Sequence, residues 1–169
     1  KHRLAVDNKI TPEIDYDATN RGTVIHKALE LFWSGTKNRA QLNKIIQKNQ
    51  LERNIFNSVT KALNSHLKTA TIKTQPRFVS LEIKSLTRLL KKWLEFEQTR
   101  PDFEVISSEE NTKIYIAGMK INIRPDRIDR TPQGETIIFD YKTGNVNPSG
   151  WFDERIQEPQ LPLYALKFK

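Results

Sequence analysis

The sequence predicts an α/β domain of the mixed, α+β kind, on three observations. Apolar residues recur every three to four positions between Asp17 and Arg100, and the period changes to two from Asp102 onward. The length of 169 residues, with 37% hydrophobic content, suits one packed core rather than two. Helices followed by strands and a closing helix form the α+β pattern.

The elements follow in order. The opening segment to Tyr16 has no clear period and reads as an irregular arm. Asp17 is an N-cap candidate for a first helix, in which Ile25, Ala28, Leu29 and Phe32 form one stripe and His26 lies beside it. "SGTKN" breaks that helix. Two basic segments follow, Arg39 to Asn49 and Arg53 to Lys68, and then a polar connector, "KTATIKTQP". Pro76 suits the first turn of a longer helix, where its missing N–H is no loss, and Val79, Ile83, Leu86, Leu90 and Trp93 face the core. Arg100-Pro101 closes it, since the residue before proline resists helical geometry.

"FEVISSEE" is then a strand, and "KIYIAGMKINIRPDRID" is a hairpin turning near Ala117-Gly118. "ETIIFDYK" is a short, nearly continuous apolar run, expected of a central strand. "EPQLPLYALKF" reads as a closing helix with both prolines in its first turn.

Charge and composition narrow the chemistry. The net charge is +8, and residues 36–100 alone carry 14 Lys and Arg against 4 Asp and Glu, so the excess sits in the middle. Such a bias suits a polyanion, because neutralised phosphates release counterions; it equally suits a solvated, lysine-rich set of helices. The absence of cysteine excludes thiolate zinc sites and cysteine-ligated iron–sulfur clusters within this chain. No apolar run is long enough to span a membrane, and the first ten residues lack the apolar centre of a signal peptide. The expectation is a soluble, cytoplasmic (intracellular) protein with no membrane partner.

"IRPDRIDRTPQGETIIFDYKTG" carries the candidate chemistry. Strand alternation puts Asn122, Arg124 and Asp126 on one face, and Asp140 and Lys142 on one side of the next strand. If the two strands pair through a short turn at "TPQG", Asp126 and Asp140 converge. Converging carboxylates repel unless a proton or cation lies between them, and a hard divalent ion such as Mg²⁺ or Mn²⁺ suits oxygen ligands. A lysine beside it can orient or deprotonate water. The competing reading pairs Asp126 with Arg124 or Arg127 and makes Asp140 and Lys142 a surface ion pair. His26 by itself reads as a packed histidine, with Gly22 one turn before it and Glu30, one turn after, placed to hold its second nitrogen.

Four separated blocks, "RGTVIHKALE", "RPDRIDR", "IIFDYKTG" and "PQLPLYAL", span Arg21 to Leu166 and resemble the PD-(D/E)xK nuclease superfamily, specifically its RecB-like nuclease domains. The resemblance implies a restriction-endonuclease-like core, a central mixed sheet flanked by helices, with residues 36–100 as a basic helical insertion after the first helix. It implies one domain over residues 1–169, cut from a longer helicase-like or exonuclease protein. It implies metal ligands at His26, Asp126, Asp140 and the Tyr141 carbonyl, a catalytic Lys142, and contributions from Gln160 and Tyr164 to the site and to DNA contact. Glu109 or Glu110 falls near an upstream acidic position.

The implied activity is a divalent-metal-dependent deoxyribonuclease with Mg²⁺ or Mn²⁺. It is expected to be an exonuclease of DNA repair or recombination acting on single-stranded DNA or a duplex end, with a helicase domain or subunit as partner. The alternative is a nuclease-fold DNA-binding module whose activity has lapsed; a third reading is a protein-interaction domain of a repair complex. The chain departs from the family pattern at Ile123, where glycine is frequent, and at Pro125, which bears on local strand geometry. It has neither the four cysteines of some relatives nor a Gly-x-x-x-x-Gly-Lys-Ser/Thr phosphate loop.

Overall fold

A computed structural model describes residues 16–70, 75–108, 112–116 and 119–144. The expected hairpin turn at Ala117-Gly118, Glu109 and Glu110, and the closing helix with Gln160 and Tyr164 lie outside the described residues.

Four helices come first: α1 (Ala18–Gly35), α2 (Arg39–Gln47), α3 (Leu51–Thr69) and α4 (Pro76–Glu97). Asp17 caps α1 as its sequence position predicts, its carboxylate accepting from Asn20 N–H at 2.8 Å. This bond to the ionised form lowers the Asp17 pKa below its ordinary 3.8. Its contribution to stability is therefore present above pH 3.8 and lost as pH falls through the lowered folded value. Asp17→Ala is expected to lower the Tm by about 2–4 °C at neutral pH. Parent and variant should converge in acid, which thermal melts across pH would read.

α1 runs on through Ser34 and Gly35, so the break comes at Thr36 rather than within "SG". Asn38 caps α2, accepting from Gln41 N–H at 2.9 Å. Between α2 and α3, Asn49 takes φ 54°, a left-handed conformation that asparagine tolerates better than most residues. Pro76 opens α4 at its first turn. α4 ends at Glu97, three residues before Arg100.

α3 packs against both α1 and α4. The predicted α1 stripe is buried, joined by Val24 and Trp33; on α4, Ile83, Leu86 and Leu90 are buried, while Val79 and Trp93 pack partly buried against the same core. Val59, Ala62 and Leu63 of α3 complete the interior.

The strands are β1 (Glu104–Ser108), β2 (Thr112–Ile116), β3 (Met119–Ile123), β4 (Arg127–Arg130) and β5 (Thr136–Phe139). β2 and β3 pair antiparallel, with Ile116 opposite Met119. The other three form an antiparallel sheet in the order β1-β4-β5. The mixed sheet expected from the resemblance is thus not seen among the described residues, whose pairings are all antiparallel.

Two strand expectations are corrected. The long hairpin strand expected to run from the Ala117-Gly118 turn into "RPDRID" stops at Ile123, and β4 begins anew at Arg127. Pro125 has no N–H to give a ladder and stands at that break. The apolar β5 is not central among the described strands: β4 is, and Ile137 of β5 is 36% exposed. The "TPQG" turn forms as expected, with Gly134 at φ +87° and its N–H donating to Thr131 O at 2.9 Å.

The helical layer is tied to the sheet through the segment after α1. Val105 N–H donates to Lys37 O at 2.7 Å and Arg39 N–H to Phe103 O at 3.3 Å.

Candidate active site

The central strand is built around charge. Arg127, Asp129 and, at the end of α4, Glu97 are all 0% exposed. Arg127 Nε donates to Asp129 Oδ1 at 2.7 Å, and its Nη2 to Asp129 Oδ2 at 2.6 Å and Glu97 Oε2 at 2.8 Å. Arg100 Nη1 donates to the same Glu97 oxygen at 2.6 Å and to Asp129 Oδ2 at 3.1 Å. Two guanidiniums thus balance two carboxylates.

Aromatic faces complete the enclosure. The Arg127 guanidinium carbon lies 4.1 Å from the Trp33 ring centre and 4.3 Å from that of Phe139. Burial works against its charge, but the hydrogen bond with Asp129, and then the fields of Tyr141, Glu97 and Asp129, prevail and push the Arg127 pKa up.

From this block Arg127 Nη1 reaches the Tyr141 hydroxyl at 3.2 Å. Burial pushes that hydroxyl's pKa up, against the pull of Arg127. Tyr141 is further fixed by edge contacts with His26 and Trp93, ring centres 6.1 and 6.0 Å away. Fixed in this way, its backbone N–H donates a short hydrogen bond to Asp126 Oδ2. The other Asp126 oxygen meets His26 Nδ1 at 2.9 Å.

Asp126 is therefore held from two sides. The β4–β5 ladder pairs Arg127 with Phe139, which makes Asp126 and Asp140 the next positions beyond it on the two chains. The short turn predicts that backbone juxtaposition, although neither aspartate lies within a strand and their carboxylates take different partners.

The structure sorts the expected site residues into two groups. His26 and Asp126 meet. Asp140 Oδ2 instead accepts from Lys142 Nζ at 2.8 Å, with the Asp140 side chain 9% exposed and that of Lys142 33%. Arg127, proposed as a partner of Asp126, serves Glu97 and Asp129. Glu30, expected to steady the histidine, has both oxygens at 2.7 Å from Lys27 Nζ, and Asp126 is what meets Nδ1.

Two cavities adjoin these groups. A cleft of about 600 Å³ between α1 and α3 is lined by Gly22, His26, Ser65, His66, Arg124 and Thr143. A more apolar one of about 410 Å³ is lined by Ile25, Leu90, Trp93, Asp140, Tyr141 and Lys142. Thr143 borders both. The bare backbone of Gly22 allows this approach: a Cβ there would stand 3.1 Å from Thr143 Oγ1. Gly22→Val is expected to push the Thr143 segment away and lower any activity of the cleft about tenfold or more, since small misplacements are costly. Steady-state kinetics beside a thermal melt would check this.

The donor set suits a hard divalent ion in part. An imidazole nitrogen and a carboxylate already face one another, whereas Asp140 is turned to Lys142. Among the described residues no group of three histidine or acidic side chains lies close enough to hold a metal.

His66 and the Glu97–Arg100–Arg127–Asp129 block escape sequence reasoning. His66 is 40 positions from His26 and sits in the basic region; only the packing of α3 on α1 brings it to the cleft, where its Nε2 donates to Asn20 Oδ1 at 2.7 Å. The alternation of "RIDR" was the one signal for the block, because it aims Arg127 and Asp129 to the same side.

No helix among the described residues is long and apolar enough to cross a membrane. Nothing matched among curated proteins or among solved structures. A family model does match, that of the PD-(D/E)XK nuclease superfamily, over residues 1–169. With a mixed α/β architecture and an aspartate held at the sheet end before "DYK", the chain belongs to the PD-(D/E)XK nuclease superfamily.

Proposed function

We propose that this protein is a divalent-metal-dependent deoxyribonuclease of the RecB-like kind, an exonuclease domain of DNA repair or recombination that works with a helicase. The observation that carries the reading is the double hold on Asp126, by His26 Nδ1 and by Tyr141 N–H, at the sheet end where Asp140 and Lys142 flank Tyr141.

Asp126 enters the reaction pre-oriented, so no side-chain freedom is lost when substrate arrives. His26 and Asp126 would hold Mg²⁺ or Mn²⁺, with the Tyr141 carbonyl as a backbone oxygen and Asp140 joining on release from Lys142. The ion, when bound, supplies positive charge to polarise a phosphoryl oxygen and lower the pKa of a water. Lys142, exchanged from Asp140, would then be available to orient water or to meet charge developing on the phosphate. Arg124, which lines the cleft with His26, would contact a neighbouring phosphate. Gln160 and Tyr164 are proposed to reach the same site from the closing segment, and residues 36–100 to act as a basic insertion along the DNA.

The Asp140–Lys142 pair also favours a second reading, a DNA-binding module whose catalysis has lapsed, because it withholds the third ligand. A nuclease assay on single-stranded and duplex DNA with Mg²⁺ or Mn²⁺ separates them. The parent is expected to cleave and Asp140→Ala to lose about a hundredfold or more in rate. Binding without cleavage by the parent would sink the catalytic reading, and equal cleavage by both proteins would sink the site assignment.

A further inference from the structure

On the far side of α3 from the cleft, a groove of about 690 Å³ runs between α3 and α4. Its lining includes Arg53 and Phe56 from α3, and Lys84, Thr87 and Arg88 from α4. Glu52 and Lys91 close one side through an ion pair at 2.9 Å.

We infer that this groove is a second binding site, for single-stranded nucleic acid, which holds a strand away from the candidate active site. The inference rests on the nuclease reading for the identity of its ligand. Three features support it.

First, the cations are available. Glu52, the carboxylate of the groove, is taken by Lys91, and no ion pair among the described residues engages Arg53, Lys84 or Arg88. Three uncompensated cations around one concavity form a place for phosphate oxygens.

Second, Thr87 lines the groove, is only 6% exposed, and its Oγ1 has no hydrogen-bond partner among the described residues. A helical threonine commonly donates to the carbonyl one turn back. An unpartnered hydroxyl in a buried position costs free energy, which would be relieved if a ligand oxygen in the groove drew the hydroxyl round to meet it.

Third, Phe56 is 45% exposed in the same groove. A polyanion without bases, such as an acidic peptide, would use the cations and leave the ring in water. A strand with unstacked bases uses both, phosphates on the cations and a base on the ring. A fully paired duplex offers the ring no base face, so the single strand is favoured.

Helix geometry makes this a site apart from the cleft. Phe56 in the groove and Ser65 in the cleft are nine positions apart on α3. At about 100° and 1.5 Å per residue, they face opposite sides of α3 and lie about 14 Å apart along its axis.

The test is fluorescence anisotropy of a labelled oligothymidylate, in EDTA and over a range of salt, with the parent, Phe56→Ala and the double variant Arg53→Ala/Arg88→Ala. All three side chains are exposed, and circular dichroism would check that each variant stays folded. Phe56→Ala is expected to weaken binding about tenfold. The double variant should flatten the logarithmic salt slope by about 1.4.

Unchanged affinity and slope in both variants would overturn the inference. So would loss of binding to polyglutamate in the double variant with oligothymidylate binding intact, which would make the groove a surface for acidic protein. Cleavage assays on the parent keep the two proposals distinct. A cleaving parent whose groove variants bind normally sinks the groove alone; a parent inert with every metal, whose groove variants still bind more weakly, sinks the nuclease reading alone.

Discussion

Arg127→Ala is expected to lower folding stability by about 3–5 kcal/mol, the largest loss from any one side chain considered. The reason is what it leaves behind. Glu97 and Asp129 are both 0% exposed, and Arg127 supplies three of the charge-assisted hydrogen bonds that hold them. Arg100 alone, 16% exposed, would face two buried carboxylates. The guanidinium also fills the space between Trp33 and Phe139, so truncation opens a cavity as well.

Chemical denaturation would measure the loss. Removing the charges together should be far milder than removing one. A double replacement, Arg127→Met with Glu97→Gln, should recover a large part of the stability, because the one carboxylate left, Asp129, still meets Arg100 Nη1 at 3.1 Å. A double variant as unstable as Arg127→Ala would show that shape rather than charge balance dominates. Any nuclease activity should fall in Arg127→Ala too, since Arg127 holds the Tyr141 hydroxyl and Tyr141 N–H holds Asp126.

The second large effect is on chemistry. On the proposed deoxyribonuclease reading, Asp126→Ala is expected to reduce DNA cleavage about 10³-fold, from the loss of several kcal/mol of metal-linked stabilisation. Asp126→Asn is the sharper variant. Its amide oxygen can still accept from Tyr141 N–H, so the local shape persists while the negative charge is gone. The expected result is a rate as low as that of Asp126→Ala with stability nearer the parent's. Nuclease rates in Mg²⁺ or Mn²⁺ beside denaturation curves would check it, and an active Asp126→Asn would remove the carboxylate from the proposed mechanism.

Much of the helical layer was legible in the chain because its signals are local. Asp17 caps α1 through a hydrogen bond three residues away, and Pro76 starts α4 by its own fixed geometry. The apolar stripes of α1 and α4 were readable from their 3.6-residue period alone. The turn at Gly134 likewise depends on its own backbone.

The sheet was less legible because burial there does not follow apolarity. A run such as "TIIF" looks central, yet the central described strand is "RIDR". Its charged residues can be buried only because Glu97 and Arg100, about thirty positions upstream, neutralise them. No window along the sequence contains both halves of that balance.

Of the candidate site, the sequence by itself determined the residue types and one backbone juxtaposition: an aspartate position on each side of a tight turn, with a lysine two positions after the second. That much follows from the period of two along a strand and from turn chemistry, which are properties of the local backbone. Only the tertiary structure decided the partners. It set Asp126 against His26 from a helix 100 positions away, gave Arg127 to Glu97 and brought His66 to the cleft. Those choices depend on how α1, α3 and α4 pack over the sheet end, because a charge pairs with whichever opposite charge the packing leaves within reach and out of water.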